Sequence, residues 1–551
     1  MLTRLEAENS LIFTSVLGYI ETMPTTRQFD AALQIIAELR DAGYEAYLAG
    51  GCVRDLLLGR APHDYDVATS ATPDVVLQLF PRTFAVGAHF GVVLVATCGG
   101  AEDACADEEE SQRVVTEVAT FRSDGAYSDG RHPDAVRYTL SAEEDVRRRD
   151  FTINGLLLDP ERVLPQGLKP RSLLLGDCGT TKVVPCYKAG CDNAGCDNAG
   201  YDNAGYDKTG CDNADDHSDI STTYEAQSIH NAVIDHVNGV ADLDAGLIRA
   251  IGQPAARFEE DHLRMLRAVR FAARFGFQIE AGTAAAIRRL APKTKAVSRE
   301  RVRDELTKML TEGHARRAFE LLDETGLLAE VLPEVARMKG VAQPPQFHPE
   351  GNVWLHTLGL LAQLEAGCPL TLAWAALLHD VGKPATFRVA ERIRFDGHVE
   401  VGVAIAAEIF RRFRFSNDES RQALALIENH MRFADAPRMK ASTLKRFFRL
   451  EEFPQHLALH RMDCMAGSGN LDHWNFVRER YEAMPEESVR PAPLLTGREL
   501  IAAGYIPGAA FRPMLRAVED AQLEGSITTP AEALAMLRKH FPPPAPSTRQ
   551  T

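Results

Sequence analysis

From Cys191 to Asp215 the chain repeats one pentapeptide: CDNAG, CDNAG, YDNAG, YDKTG, CDNAD. Asp, Asn and Gly at this density cannot bury a core. The fold must therefore be assembled from what lies on either side, and residues 161–232 read as a disordered insertion. Cys178, Cys186, Cys191, Cys196 and Cys211 fall in this stretch. Zinc sites use close pairs such as C-x2-C. Here the cysteine spacing follows the repeat, as expansion of a short DNA repeat would produce. The other five of the ten cysteines are scattered singly. A disulfide framework is not expected in a chain of 551 residues without a secretory signal.

Before the repeat, residues 28–160 alternate helical and extended patterns. Apolar residues recur with helical period over 29–42. Short strands are predicted at Ala46–Ala49, Tyr65–Ala68, Val92–Ala96 and Val114–Phe121. After the repeat the pattern is helical throughout. Residues 233–335 read as a neck, 345–480 as a His-rich helical domain and 490–540 as a helical tail, before a Pro-rich end. The expected fold class is α+β: a small mixed-sheet head followed by an all-α neck, body and tail. Residues 1–27 read as an extra leader, with an internal start at Met23. No apolar run approaches the roughly 20 residues of a membrane span, so a cytoplasmic protein is expected. A net charge of −16 argues against a general polyanion coat. It leaves room for a local basic patch.

Gly50 and Gly51 end a predicted strand and open a predicted helix, CVRDLLLG. Glycine permits close backbone approach to phosphates, and helix N-termini favour anions. Arg54 lies one turn further on. Asp64 and Asp66 follow. Two residues apart in a strand, they share a side. Paired carboxylates repel unless a hard cation such as Mg2+ sits between them. Such a pair can hold two metals that activate a hydroxyl and stabilise leaving pyrophosphate.

GGCVRDLLLGRAPHDYDV resembles the signature of the class II tRNA nucleotidyltransferase and bacterial poly(A) polymerase superfamily. RRRDFTINGLLLD at 147–159 resembles its second motif, EEDHLRMLRAVRFAARFGF at 259–277 its third, and EVATFRSDGAYSDGRHPDAV at 117–136 its flexible loop. The resemblance implies a nucleotidyltransferase head with Asp64 and Asp66 as Mg2+ ligands and Glu117 as a third carboxylate. It places Gly51, Arg54, Arg149, Asp150 and Asn154 around the nucleotide, with Asp150 selecting the ribose. Asp261, Arg264, Arg267 and Arg270 recur every third residue of a predicted helix, one face of which they would share. Read alone, that is a salt-bridged stripe. The resemblance makes Asp261 and Arg264 a template that accepts C or A by their exocyclic amines, with Arg267 and Arg270 holding phosphates or orienting it.

LLHDVGKP carries adjacent His379 and Asp380, with His356 upstream and Asp463 downstream. The order H…HD…D resembles the HD phosphohydrolase superfamily. It implies a second divalent metal (Mn, Ni, Fe or Mg), to which His398 and His430 can add ligands, and hydrolysis of phosphate ends on damaged RNA.

Together these readings predict CCA addition to tRNA from CTP and ATP, with no obligate protein partner and no membrane. Alternatives are a CC-adding or A-adding partial enzyme, a poly(A) polymerase, or an HD phosphohydrolase whose N-terminal half only binds RNA. The full-length loop DGAYSDGRHPD favours full addition over CC addition, although its paired basic residues read Arg131-His132.

Overall fold

The computed structural model describes residues 26–84, 91–97, 113–124, 136–163, 229–346 and 348–542. The leader, most of the flexible loop, the pentapeptide repeat and the Pro-rich end lie outside the described residues. The chain divides into two units, Met1–Gln253 and Pro254–Thr551.

The first unit is built on a seven-stranded sheet. Helix α1 (Arg27–Asp41) starts where Thr26 accepts a hydrogen bond from the Phe29 amide, a side-chain cap of the usual kind. The strands are β1 (Ala46–Ala49), β2 (Val67–Thr69), β3 (Thr83–Phe84), β4 (Val92–Thr97), β5 (Val114–Thr120), β6 (Leu156–Leu158) and β7 (Val233–Asp235), in the spatial order β3-β4-β5-β2-β1-β6-β7. Only β2 and β5 run parallel; every other pair is antiparallel. Period-two alternation gives the sheet two apolar faces. Leu48, Val67, Val93, Val118 and Leu156 pack with Ile35 and Leu39 of α1, while Ala49, Ala68, Phe121 and Leu157 pack on the other side with Val146.

Three expectations change. First, β2 begins at Val67, so Asp64 and Asp66 lie on the approach to the strand and not inside it. The alternation still holds there. Tyr65 is buried with its ring 5.1 Å from Phe29, and the flanking aspartates are more exposed. Second, β3, β6 and β7 were not foreseen; two or three residues are too short for a periodic signal. Third, Val233–Asp235, assigned to the neck, pairs with Leu156–Leu158, and the break between units falls at Gln253–Pro254. A strand is placed by its partner, and this partner lies on the far side of the insertion.

The second unit is helical. Helix α4 (Arg264–Phe275) buries Met265, Leu266, Val269 and Ala272 and stops at Gly276, whose φ of 72° suits a helix C-terminus. Asp261 was expected on this helix. It lies in the turn before it, where its carboxylate accepts the Leu263 amide. The His-rich region comprises α5 (Val353–Leu361), α6 (Leu370–Leu378), α7 (His398–Arg412), α8 (Asn417–Asn429) and α9 (Phe453–Ala466). The tail closes over its own core of Leu495, Leu500, Tyr505, Met514, Val518 and Leu537. Among the described residues no helix is long and apolar enough to cross a membrane.

On α9, His456 is 1% exposed and makes no hydrogen bond of good geometry. Burial, with Arg432 nearby, lowers its pKa from 6.5 to about 4. Burial lowers that of His460, stacked on Phe433, to about 4 as well. Both are neutral when folded, so the unfolded chain takes up protons first as pH falls. Stability should be intact above pH 6.5 and drain away towards pH 4. Acid melts of the full chain should show this loss, and His456→Phe should flatten it. An unchanged acid profile in that variant would refute the assignment.

Candidate functional site

The head site forms where β2, β5 and the turn after α3 (Ala142–Arg147) meet. The parallel register sets Val67 beside Val118, which puts Asp66 beside Glu117. The backbone carbonyl of Asp66 accepts the Ala49 amide at 3.0 Å, tying the carboxylate's position to β1. Burial, then the nearby Glu117 and Asp64 carboxylates, push the Asp66 pKa to about 7, and Arg149 only partly offsets them. Glu117 is exposed as a residue, but partial desolvation of its carboxyl, and then Asp64, raise its pKa also. Three carboxylates that resist ionising together are a donor set suited to a hard divalent cation. Beside Asp64 opens a cavity of about 560 Å3, which Arg27, His63, Arg113 and Thr116 help to line. That volume lies in the range of small-ligand sites.

The expected nucleotide-binding residues form one polar network behind the carboxylates. Arg54 is buried; it donates to Asn154 Oδ1 at 2.5 Å and to Asp55 Oδ1 at 2.8 and 2.9 Å. Asn154 donates to Asp150 Oδ1 at 3.0 Å, and the Phe151 amide donates to the same oxygen. Arg149 is held by Asp145 at 3.1 Å and reaches the Asn154 carbonyl at 3.4 Å. Burial works against the charge on Asp145, yet Arg149 and Arg148 outweigh it and lower its pKa. Gly51 opens helix α2 (Gly51–Leu57), but the constrained glycine is its neighbour. Gly50 has φ 72°, and a Cβ there would sit 2.9 Å from Arg149 Nη1. Gly50→Ala should therefore displace Arg149 and strain the backbone by about 1–3 kcal/mol. The expected result is a KM for nucleotide raised about tenfold, equivalent to ~1.4 kcal/mol. Unchanged KM and melting temperature would contradict this.

The four residues expected on the base-selecting face have intramolecular partners. Asp261 pairs with Arg301 at 2.7 Å and Arg264 with Glu260 at 2.5 Å. Arg270 is buried against Glu305 at 2.7 Å, with Arg267 4.0 Å from the same carboxylate.

In the second unit, the HD residues converge from separate helices. His356 lies on α5, His379 and Asp380 follow α6, and Asp463 lies on α9. His356 Nε2 is 2.9 Å from Asp463, and its Nδ1 is 2.8 Å from Glu350. Burial opposes its charge, but the Asp463 and Glu350 hydrogen bonds prevail and raise its pKa to about 9. His379, His398 and His430 each place Nδ1 against a backbone carbonyl, of Ala376, Phe395 and Ile427 respectively. Their buried Nε2 atoms make no hydrogen bond of proper geometry. His379 Nε2 lies 3.2 Å from Asp380 Oδ2 as an ion-pair contact only. Nitrogens aimed inward with the opposite ring atoms anchored are what metal ligation needs.

Comparisons with known proteins follow this division. Residues 46–165 match the poly A polymerase head domain, 276–339 the probable RNA and SrmB-binding site of polymerase A, and 353–465 the HD domain. The chain belongs to the poly A polymerase head-domain family. A CCA-adding enzyme of Lactobacillus johnsonii is 33% identical over 60% of this chain and 64% of its own length. The match thus spans less than two thirds of that curated relative. The CCA-adding enzyme of Bacillus stearothermophilus, solved in complex with CTP, superposes with a TM-score of 0.61 at 25% identity, covering 94% of this chain and 98% of that one. The Thermotoga maritima CCA-adding enzyme, solved with tRNA_CCA, superposes with a TM-score of 0.51 at 14% identity over 96% and 98%, which establishes likeness of fold.

Reading the sequence missed several residues that hold this family's site together. Asp145 stands three and four residues before Arg148 and Arg149, an i,i+3 and i,i+4 spacing that was available as a signal. Asp55, Glu350 and Arg113 had no such cue. A further cavity, of about 880 Å3, is lined in the tail by Arg446, Arg449, Arg490, Arg512 and Arg516. Glu519 there is already tied to Arg446 and Arg449.

Proposed function

We propose that this chain adds the 3′-terminal CCA to tRNA from CTP and ATP, without a nucleic-acid template, in the cytoplasm. The observation that carries this reading is the convergence of Asp64, Asp66 and Glu117 beside Arg149, with Asp66 held near pKa 7. Asp64 and Asp66, with Glu117 beside them, would hold Mg2+. When bound, the metal supplies a counter-charge for the tRNA 3′-hydroxyl as it loses its proton and for departing pyrophosphate. The chain's own part is orientation. Asp145 aims Arg149, Gly50 leaves it room, and Asn154 links Arg54 to Asp150, whose remaining acceptor capacity suits a ribose hydroxyl. Arg149 draws triphosphate charge towards the carboxylates.

Asp261 and Arg264 are assigned to base choice, with Arg301 and Glu260 as the partners they exchange for C or A. Arg267 is assigned to the same edge. The five arginines of the tail suit RNA phosphates. The names of the relatives support CCA addition over poly(A) synthesis.

The test uses tRNAs ending before CCA, at C and at CC, with labelled CTP and ATP singly and together. Addition to all three ends is expected. Label on the CC end alone would mean an A-adding enzyme, label stopping at CC a CC-adding one, and long A tails a poly(A) polymerase.

The inward-facing Nε2 atoms favour a second activity at the HD residues: metal-dependent hydrolysis of phosphomonoester or 2′,3′-cyclic phosphate ends, with Mn2+, Ni2+ or Mg2+. Release of phosphate from such ends should vanish in His379→Ala. No metal-dependent release from the unaltered chain would end this reading.

A further inference from the structure

We infer that the helical unit holds two divalent metal ions bridged by Asp380, where the order H…HD…D implies one. The inference rests on the HD residues binding metal at all. Six side chains divide into two triads. His356, His379 and Asp463 form one, and Asp380, His398 and His430 the other. Within each triad the ligand atoms lie within 4.8 Å of one another.

Asp380 connects the triads through its two oxygens. Oδ2 faces the first, at 3.2 Å from His379 Nε2 and 4.0 Å from His356 Nε2. Oδ1 faces the second, at 3.7 Å from His398 Nε2 and 4.0 Å from His430 Nε2. A carboxylate presenting one oxygen to each of two nitrogen-rich clusters has the form of a bridging ligand.

The simpler account makes His398 and His430 hydrogen-bond partners of Asp380. Distances of 3.7 and 4.0 Å are too long for that. A buried polar atom left without a partner is costly, and here two stand together. Their Nδ1 atoms are already spent on the Phe395 and Ile427 carbonyls, so both Nε2 lone pairs are committed inward. A cation between them and Oδ1 uses all three groups.

Position supports the same division. His398 is the first residue of α7, and His430 directly follows α8. Gly382 and Gly402 let α7 approach the HD segment closely: a Cβ on Gly382 would meet the His398 carbonyl at 2.1 Å and the Gly402 amide at 2.6 Å. That close approach brings His398 to Asp380. Lys383 neutralises only the other oxygen, with its Nζ 2.6 Å from Oδ2 and 2.6 Å from Gln343 Oε1. Imidazole with carboxylate suits Mn2+ or a later first-row ion over Ca2+. Positions left open on each ion would take water or phosphate oxygens.

The test is metal counting on the full chain carrying Asp64→Asn and Asp66→Asn, which removes the head carboxylates. The chelated protein is titrated with Mn2+ alone, bound ion is counted after dialysis, and the electron paramagnetic resonance spectrum is recorded. Two Mn2+ per chain with an exchange-coupled spectrum are expected. His398→Gln, and separately His430→Gln, should leave one ion with an isolated-Mn2+ spectrum, and Asp380→Asn should abolish the coupling. His398 is only partly buried, so its variant keeps the test valid if His430→Gln fails to fold. One ion per chain, unchanged in His398→Gln, would overturn the bridged pair and leave a single-metal site standing. No bound Mn2+ would overturn both.

Discussion

Asp66→Asn is expected to cut nucleotidyl transfer by about 1,000-fold, ~4 kcal/mol of transition-state stabilisation, and to make the metal-free protein more stable. The two effects have one cause. Folding moves Asp66 next to Glu117 and Asp64 and away from water, so its pKa rises from 3.8 to about 7. A carboxyl with a raised folded pKa binds its proton more tightly in the native state than in the unfolded chain. Its penalty is absent below pH 3.8, grows as pH rises to 7, and stays constant above that. The metal-free protein should therefore lose stability from this group between pH 4 and pH 7. Mg2+ should restore it at pH 8, because an ion that binds only the folded state stabilises by mass action. Asparagine carries no charge at any of these pH values. Thermal melts of both proteins from pH 5 to 8, in chelator and in Mg2+, read this directly. A variant with the same pH slope as the parent, or with activity retained, would refute the role given to Asp66.

Arg270→Ala should destabilise the helical unit by about 3–5 kcal/mol, because it strands a buried carboxylate. Arg270 Nε lies 2.7 Å from Glu305 Oε2, and both side chains are buried. Its guanidinium also sits 4.4 Å from the Phe271 ring centre. Replacing the pair together, as Arg270→Met with Glu305→Leu, removes both charges and should recover most of the loss. Denaturant melts of the single and double variants test this. If Arg270→Ala melts like the parent while nucleotide affinity falls, the residue holds phosphate and the sequence-level expectation stands. The geometry favours an anchor that holds α4 in place.

The contrast between these residues shows what was readable in advance. The head carboxylates, the glycine pair, Arg149-Asp150 and the His-Asp dipeptide announce themselves because their chemistry lies within a few residues of chain. The mixed sheet followed by helices was legible for the same reason: periodicity of two or 3.6 is a local property. Strand ends were not. β2 starts two residues later than its pattern suggests, since pairing with β1 and β5, and not propensity, decides where a ladder begins. Even so, the side-sharing of Asp64 and Asp66 survived, because extended backbone alternates whether or not it is paired.

By itself the sequence determined the order of units, the kinds of side chain available and the pairing of carboxylates two residues apart. The tertiary structure alone decided which groups meet. Arg54 meets Asn154 across 100 positions of chain, and His356 meets Asp463 across 107. It also decided that β7, beyond the insertion, completes the head sheet, and that Asp380 turns one oxygen to each triad of histidine and carboxylate ligands. Local pattern records a residue's neighbours along the chain. Burial, pKa and ligation depend on neighbours in space, and those are set by packing.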